Sequence, residues 1–141
     1  MKYSTKLSDA IHILIYIIIN SGKPITSDQI AESIRTNPGC VRQIMTLLKK
    51  QGIIKSVVGQ PRPSLAKNVS EITLLDIYNA VEKDKAFLHL DMQTNRECIV
   101  GIHIQSTLQN YYDKIQNAAE KEMQEITLQE IMNSFYEKTV N

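Results

Sequence analysis

The chain has 141 residues, and its 43% hydrophobic and 22% charged residues are typical of a globular protein and exclude a disordered or collagen-like chain. Two cysteines are too few for a disulfide scaffold and favour a reducing, cytoplasmic setting. The apolar run over residues 10–19 is shorter than a membrane span, which needs about 20 residues. The net charge of +1 divides into +7 over residues 1–70 (ten basic, three acidic) and −6 over residues 71–141 (six basic, twelve acidic), which indicates a basic half that faces a polyanion unless the charges only solvate separate surfaces.

The first predicted helix begins at Ser4 or Thr5, either of which can cap it, and runs to about Asn20. Its apolar residues at helical spacing are Leu7, Ile11, Leu14, Ile15 and Ile18. Further isoleucines at positions 13, 17 and 19 make the helix apolar on nearly all sides, so we expect it at the centre of the fold.

A helix-turn-helix is predicted next. Thr26 and Gln29 have the spacing of a capping box, which starts a short helix. Its inward residues are Ile30, Ala31 and Ile34. Asn37 as cap and Pro38 in the first turn start a second helix over residues 37–51, which Gly52 ends. A short helix, a tight connection and a second helix are the parts of this DNA-binding motif.

A β-hairpin is predicted after the second helix of the motif. Residues 53–58 are rich in β-branched side chains and predict a strand, residues 59–64 a turn, and residues 65–69 a returning strand. Such a hairpin is the wing of a winged helix. The predicted fold class is therefore mainly α with a small β-hairpin, in a winged helix-turn-helix domain over residues 1–82.

The remainder of the chain predicts a connecting loop over residues 83–98 and dimerisation helices over residues 99–141. Thr73 can cap a helix that precedes the loop, and Thr127 and Glu130 form a capping box that starts a last helix through Ile131 and Phe135. On the long helix between them, a seam spaced 4, 3, 4 and 3 consists of Ile104, Leu108, Tyr111, Ile115 and Ala118. This spacing predicts a coiled-coil contact in a homodimer, or alternatively a helix packed within its own chain.

The helix over residues 37–51 has a polar face suited to the major groove of DNA. At 100° per residue, the face opposite the apolar one contains Gly39, Arg42, Gln43, Thr46 and Lys50, with Lys49 at its edge. Arg42 can bind guanine through two hydrogen bonds and Gln43 can bind adenine, whereas Lys49 and Lys50 suit phosphates. The alternative is an ordinary solvated helix face.

Further DNA contacts are predicted outside this helix. Arg62 lies between two prolines at the tip of the wing. Prolines make the tip stiff, and a stiff tip that carries a guanidinium suits a narrow minor groove of DNA. The alternative is that Arg62 is a loop residue that only keeps the surface soluble. The remaining candidates, at the N-terminus and at the helix starts of the motif, are Lys2, Tyr3, Lys6, Thr26, Ser27 and Asn37.

The chain resembles the Rrf2 family of bacterial winged-helix regulators, which includes IscR-like and NsrR-like proteins. The segments that carry the resemblance are Ile30-Ala31, residues 47–54 (LLKKQGII), Gly59 with Leu65-Ala66, residues 72–77 (ITLLDI) and residues 98–101 (CIVG). The resemblance implies a cytoplasmic homodimer that binds a palindromic operator in double-stranded DNA, usually as a repressor. The chain departs from the family in the wing, where residues 61–64 replace the usual glycines.

A second departure concerns the sensor. Cluster-binding members of the family use three cysteines between wing and dimerisation helix, but here Cys98 stands alone and Cys40 lies on the DNA-binding helix. Iron–sulfur ligation needs several converging thiolates, so we expect no cluster, no other cofactor and no metal, although His89 and His103 leave a mixed or intersubunit site open.

Three modes of control remain open, and enzymatic activity is not expected. Two cysteines are candidates for redox sensing: Cys98, which lies beside Arg96 and before a helix, and Cys40, which lies in a first helical turn. The alternative is that both are small buried hydrophobic residues. A small-molecule effector could bind instead, or the winged helix could bind a protein and no DNA. The sequence contains no phosphate-binding loop, no histidine pair at metal-binding spacing and no nucleophile elbow.

Overall fold

The computed structural model describes residues 3–56, 59–60 and 62–140, and these form six α-helices and one two-stranded sheet. The helices and strands are α1 (Lys6–Ile19), α2 (Ser27–Ile34), α3 (Pro38–Lys50), β1 (Ile54–Lys55), β2 (Ser64–Leu65), α4 (Leu74–Val81), α5 (Ile99–Glu125) and α6 (Leu128–Thr139), with a 3-10 turn at Val69–Glu71. The predicted fold class, mainly helical with a small hairpin, is confirmed. No helix in the described ranges is long and apolar enough to cross a membrane.

Helix α1 lies at the centre of the fold, in contact with α2, α3, α4 and β2. Its fully buried residues are Ala10, Ile13, Leu14 and Ile17. The deepest face is thus centred one position away from the predicted one, whose Leu7, Ile11, Ile15 and Ile18 are only partly buried against the core. A helix that packs on several sides has no single apolar face, so its periodicity does not identify the deepest residues.

The two predicted caps of α1 behave differently, since Ser4 Oγ accepts a hydrogen bond from Lys6 N at 3.3 Å. Thr5 occupies the cap position, but its side chain accepts no backbone hydrogen bond, and Oγ1 lies 3.4 Å from a carboxylate oxygen of Asp9. The backbone of Thr5 has ψ 10°, whereas Thr26 at the start of α2 is extended with ψ 155°. At the cap position itself, the extended conformation brings the side-chain oxygen to the N–H groups of the first turn.

Three capping boxes start α2, α4 and α6. At α2, Thr26 Oγ1 accepts a hydrogen bond from Gln29 N at 3.2 Å, and Gln29 Oε1 accepts one from Thr26 N at 3.0 Å. Thr127 and Glu130 form the same reciprocal pair at α6, as the spacing predicts. At α4 the predicted cap, Thr73, is completed by the carboxylate of Asp76. Each such cap contributes about 1 kcal/mol and fixes where the helix begins.

Two left-handed residues shape the helix-turn-helix. Arg35 ends α2 at φ 67°, which costs a residue with a side chain about 1 kcal/mol, and its N–H bonds to Ala31 O at 2.8 Å. Gly52 follows α3 at φ 72°, where glycine has no such cost, as the prediction for the end of α3 requires. These two turns set the directions in which α3 and the wing leave the core.

The wing is shorter than predicted. β1 and β2 pair antiparallel, Ile54 with Leu65 and Lys55 with Ser64, so regular pairing covers two residues a strand and not the predicted 53–58 and 65–69. Asn68 Oδ1 accepts a hydrogen bond from Ser70 N at 3.0 Å, and this cap turns the chain into the 3-10 turn where the second strand was expected to continue. Residues 57, 58 and 61 of the predicted hairpin lie outside the described residues.

Helix α6 belongs to the same core as α1, although the prediction grouped it with the dimerisation helices over residues 99–141. Leu128 and Met132 are 0% and 2% exposed within that core, whereas the predicted Ile131 and Phe135 are only half-buried. Two backbone hydrogen bonds of 2.8 Å join the start of α6 to the start of α4. In one, Leu128 N donates to the carbonyl of residue 72, and in the other, residue 74 N donates to the carbonyl of residue 126.

Helix α5 leaves most of its length at the surface, since Met123 is its one fully buried residue. Residues 82–98 form no helix or strand and lie against α5. The amide of Gln116 donates to Lys85 O and accepts from Phe87 N, and Phe87 stacks on Tyr78 with ring centroids 5.2 Å apart. The loop thus fastens α5 to α4.

Candidate nucleic-acid interface

The outer face of α3 carries the residues proposed to contact DNA. This recognition face consists of Arg42, Gln43, Thr46, Lys49 and Lys50, all exposed. Val41, Ile44 and Leu48, on the opposite side, are at most 5% exposed and pack in the core. Burial of the apolar side fixes the rotation of α3 about its axis, so the polar side chains must point outward.

The first turn of α3 is held by its cap. Asn37 Oδ1 accepts a hydrogen bond from Cys40 N at 2.9 Å, which leaves the Asn37 amide group as a free donor. A Cβ added at Gly39 would lie 3.0 Å from the same Oδ1, so glycine keeps the cap uncrowded. In α2, Thr26 likewise accepts with Oγ1 and keeps its hydroxyl hydrogen, while Ser27 is half-buried beside it. The caps are structural, and each retains a donor that suits a phosphate oxygen.

A shallow groove of about 510 Å³ joins the recognition face to the start of α1. The residues that line it are Lys6, Gly39, Arg42, Gln43, Thr46, Leu47 and Lys83. The structure therefore brings the predicted Lys6 beside the predicted Arg42. Lys83 was not predicted, because it follows α4 in a segment assigned only as a connecting loop. Lys83 comes to this face because α4, the helix that precedes it, packs on α3.

Two side chains of the recognition face are already engaged. Thr46 Oγ1 donates to Arg42 O at 2.8 Å within the helix, and Lys49 Nζ donates to Ser56 Oγ at 3.1 Å at the base of the wing. Arg42, Gln43 and Lys50 form no side-chain hydrogen bond within the described chain. These three are the members of the face that are ready to bind a ligand.

Two of the other candidates, Tyr3 and Arg62, are exposed on the described part of the chain. Tyr3 is 84% exposed and Arg62 is exposed at the wing, where its N–H bonds to Gln60 O at 2.8 Å. Lys2 lies outside the described residues. Across the described ranges the one ion pair within 4.0 Å joins His89 and Asp84, away from the basic half. The basic residues of α3 therefore form no ion pair with a described acidic residue, and their charge favours a polyanion.

The two candidate redox residues have different surroundings. Cys98 is exposed at the cap position of α5, where the nearby backbone N–H groups of Gly101 and Val100 lower the pKa of its thiol. Cys40 is half-buried in the first turn of α3, and both are free thiols. A thiolate at the start of a helix is stabilised by the unpaired N–H groups there, which makes Cys98 the more reactive candidate.

Comparison with known proteins identifies several relatives. A family model described as "Rrf2: Iron-dependent Transcriptional regulator" matches residues 3–134. A Bacillus subtilis (strain 168) protein named provisionally as the HTH-type transcriptional regulator YwnA is 36% identical over 133 residues, which cover 94% of this chain and 98% of the relative. A crystal structure described as that of a candidate DNA-binding protein has 37% identity and a TM-score of 0.72, covering 90% of this chain and 98% of its own. T. potens IscR has the same fold, with 23% identity, a TM-score of 0.65 and coverage of 95% and 88%.

The iron in the family description does not fit the residues of one chain. No three His, Cys, Asp or Glu side chains converge on a possible metal position anywhere in residues 3–56, 59–60 and 62–140. Cys98 brings a single thiolate, and His89, one part of the predicted mixed site, pairs with Asp84 at 3.4 Å. An iron–sulfur cluster needs several converging thiolates, and the described residues of a single chain do not supply them.

Proposed function

The chain belongs to the Rrf2 family of transcriptional regulators, and on that premise we propose that it is a homodimeric repressor that binds a palindromic operator in the cytoplasm. The observation that carries the proposal is the recognition face of α3, exposed, basic and free of acidic partners, beside the wing. The proposal includes no catalytic role and no cofactor.

Base recognition is assigned to the middle of α3. The guanidinium of Arg42 suits two acceptors of guanine, and the amide of Gln43 suits the acceptor and donor of adenine. Lys6, Lys50 and Lys83 border the same face and supply point charges for phosphates. Arg62 at the wing is assigned to the neighbouring minor groove.

Dimerisation is assigned to the α5 seam, the residues Ile104, Leu108, Tyr111, Ile115 and Ala118. Tyr111 and Ile115 are 64% and 51% exposed in the single chain, and Ile104 and Leu108 are half-buried. Apolar side chains in heptad spacing that lack a partner in their own chain favour a second copy. Two copies related by a twofold axis present two α3 helices, which suits a palindromic site.

Control by thiol oxidation is assigned to Cys98. Its thiolate attacks one oxygen of a peroxide, so that an S–O bond forms, the O–O bond breaks, and the leaving alkoxide or hydroxide takes up a proton. The resulting sulfenic acid condenses with a second thiol, Cys40 or the same residue of a second copy, to give a disulfide and water. The exposure of Cys98 and the lowered pKa of its thiol support this assignment.

Selection of bound duplexes from a random DNA pool, with reduced and with peroxide-treated protein, tests the proposal. We expect an inverted repeat from the reduced protein, and altered enrichment after oxidation that Cys98→Ser abolishes. Binding should also weaken by about 10³–10⁵ between 50 and 200 mM salt if six to ten phosphates are contacted. A pool that remains random at low salt would instead favour a winged helix that binds a protein.

A further inference from the structure

We infer that a groove along α1 binds an uncharged small molecule that carries an aromatic ring and a hydrogen-bonding oxygen. The groove lies on the side of α1 opposite Lys6. The groove has a volume of about 500 Å³, within the range of small-ligand sites. Its lining residues are Ser8, Ile11, His12, Ile15, Tyr16, Ile19, Asn20, Ser33 and Phe135. We call it the α1 groove. None of these residues has been used in the proposed contacts with DNA or between copies.

The walls of the α1 groove are apolar and suit a flat hydrocarbon surface. Ile11 and Ile15 are half-buried against the core, and Ile19 is 46% exposed at one end. Phe135 of α6 supplies an aromatic ring, which also meets Tyr136 edge to face at 5.9 Å. An aromatic ligand gains both the burial of apolar area and ring contacts there.

Polar atoms in the α1 groove specify one or two hydrogen bonds. His12 Nε2 and Ser33 Oγ are bonded to each other at 2.8 Å, which leaves Nδ1 of His12 without a partner among the described residues. Nδ1 donates in one tautomer and accepts in the other, so it serves a hydroxyl or a carbonyl oxygen equally. The Tyr16 hydroxyl also bonds to no group in the described chain.

The lack of charged residues in the lining excludes strongly ionic ligands. No Lys, Arg, Asp or Glu lines the α1 groove, although such residues make up 22% of the chain. A carboxylate or an ammonium group entering it would lose water without gaining an opposite charge, which is costly. A phenol, an aromatic ketone or an aromatic alcohol meets every requirement of the groove.

The groove is placed where a ligand can affect α3. It joins α1, the second half of α2 through Ser33, and α6 through Phe135. Helix α2 packs on both α1 and α3. A ligand bonded to the His12–Ser33 pair would therefore bias the position of α2 relative to α1. This consequence for DNA rests on the proposed function, whereas binding of a ligand does not.

Binding of 1-naphthol, an uncharged fluorescent phenol, to the full chain tests the site. The chain has no tryptophan, so the emission of the probe is easily separated from that of the protein. We expect saturable binding with one site per chain. Ser33→Ala should weaken it about three- to tenfold, because His12 loses the one hydrogen bond that orients its ring toward the ligand. Ser106→Ala, which removes a hydroxyl bonded to its own helix at His103 O, should not weaken it.

A charge placed in the groove gives a second, independent variant. Ile19→Glu puts a carboxylate on the wall at a site 46% exposed, and it should abolish saturable binding of 1-naphthol without unfolding the protein. Ile102→Glu, at an equally exposed position on α5 outside the groove, is the matched control and should bind as the wild type does. Binding that is absent, or equal in Ile19→Glu and wild type, overturns the site.

Two further readouts separate the site from its regulatory role. In the wild type 1-naphthol should shift the affinity for the selected operator, and in Ile19→Glu it should not. Saturable probe binding with unchanged operator affinity would retain the site and overturn its link to α2. If Ile19→Glu instead converts a dimer into monomers by sedimentation, the groove is a contact between copies and the ligand site is refuted.

Discussion

Arg42 and Lys50 lie on the same exposed face of α3, but they differ in what their charge can do. Arg42 lies in the groove that contains Gln43 and Thr46, where its planar guanidinium can meet a base edge. Lys50 is the last residue of α3, and its ammonium is a point charge suited to phosphate. The two variants to alanine therefore separate recognition of sequence from general attraction to DNA.

Arg42→Ala should cost about 1–3 kcal/mol of binding free energy on the selected operator and much less on scrambled DNA. Lys50→Ala should weaken binding to both sequences by a similar factor and reduce the slope against salt by about 1. Fluorescence anisotropy with the two duplexes at several salt concentrations measures both effects. Equal losses for Arg42→Ala on the two duplexes would contradict base recognition by this residue.

Gly101 controls the surroundings of Cys98. A Cβ at position 101 would lie 2.1 Å from Asn95 O, so any side chain must push the preceding segment away from α5. Thr94 Oγ1 also donates to Gly101 O at 2.6 Å, which fastens that segment to the helix. Glycine is thus needed for close approach at this position, and the place of the backbone N–H groups near the Cys98 sulfur depends on that arrangement.

The pH dependence of alkylation at Cys98 follows from its pKa. Because the nearby backbone N–H groups lower the pKa of Cys98, the thiolate and its reaction with iodoacetamide should appear at lower pH than for a free cysteine, whose pKa is about 8.5. Gly101→Ala should move the profile to higher pH. Mass spectrometry of Cys98 against Cys40 in one sample measures it, and identical profiles for variant and wild type would refute the role of Gly101.

At the scale of elements, local signals proved more predictable than distant contacts. The capping boxes at Thr26 and Thr127 and the glycine end of α3 are encoded within four residues, and the structure confirms them. The membership of α6 in the core depends on backbone bonds to residues more than fifty positions earlier, which no local pattern contains. The sequence likewise could not predict Lys83 in the candidate interface, because only the packing of α4 on α3 brings it there.

The attachment of α6 predicts a large effect of a mutation far from the wing. Leu128→Ala should lower the free energy of unfolding of the whole domain by about 2–5 kcal/mol, since its side chain is 0% exposed in the shared core. Val140→Ala, 83% exposed at the end of the same helix, should change it by less than about 0.5 kcal/mol. Urea unfolding measures both. A separate, early transition in Leu128→Ala would instead mean that α6 unfolds alone.

At the scale of the whole molecule, the basic half binds DNA in our proposal and α5 of the acidic half joins two copies. Ile115→Glu places a charge in the α5 seam and should convert a dimer into monomers in sedimentation equilibrium. Ile102→Glu is the control, because at 100° per residue it lies about 160° from Ile104 around the helix axis.

The Ile115→Glu protein should lose preference for a two-half-site operator over a single half-site, because the two α3 helices of a dimer are no longer linked. A variant that remains dimeric, or a monomer that keeps the full preference, would show that the copies do not associate through this seam.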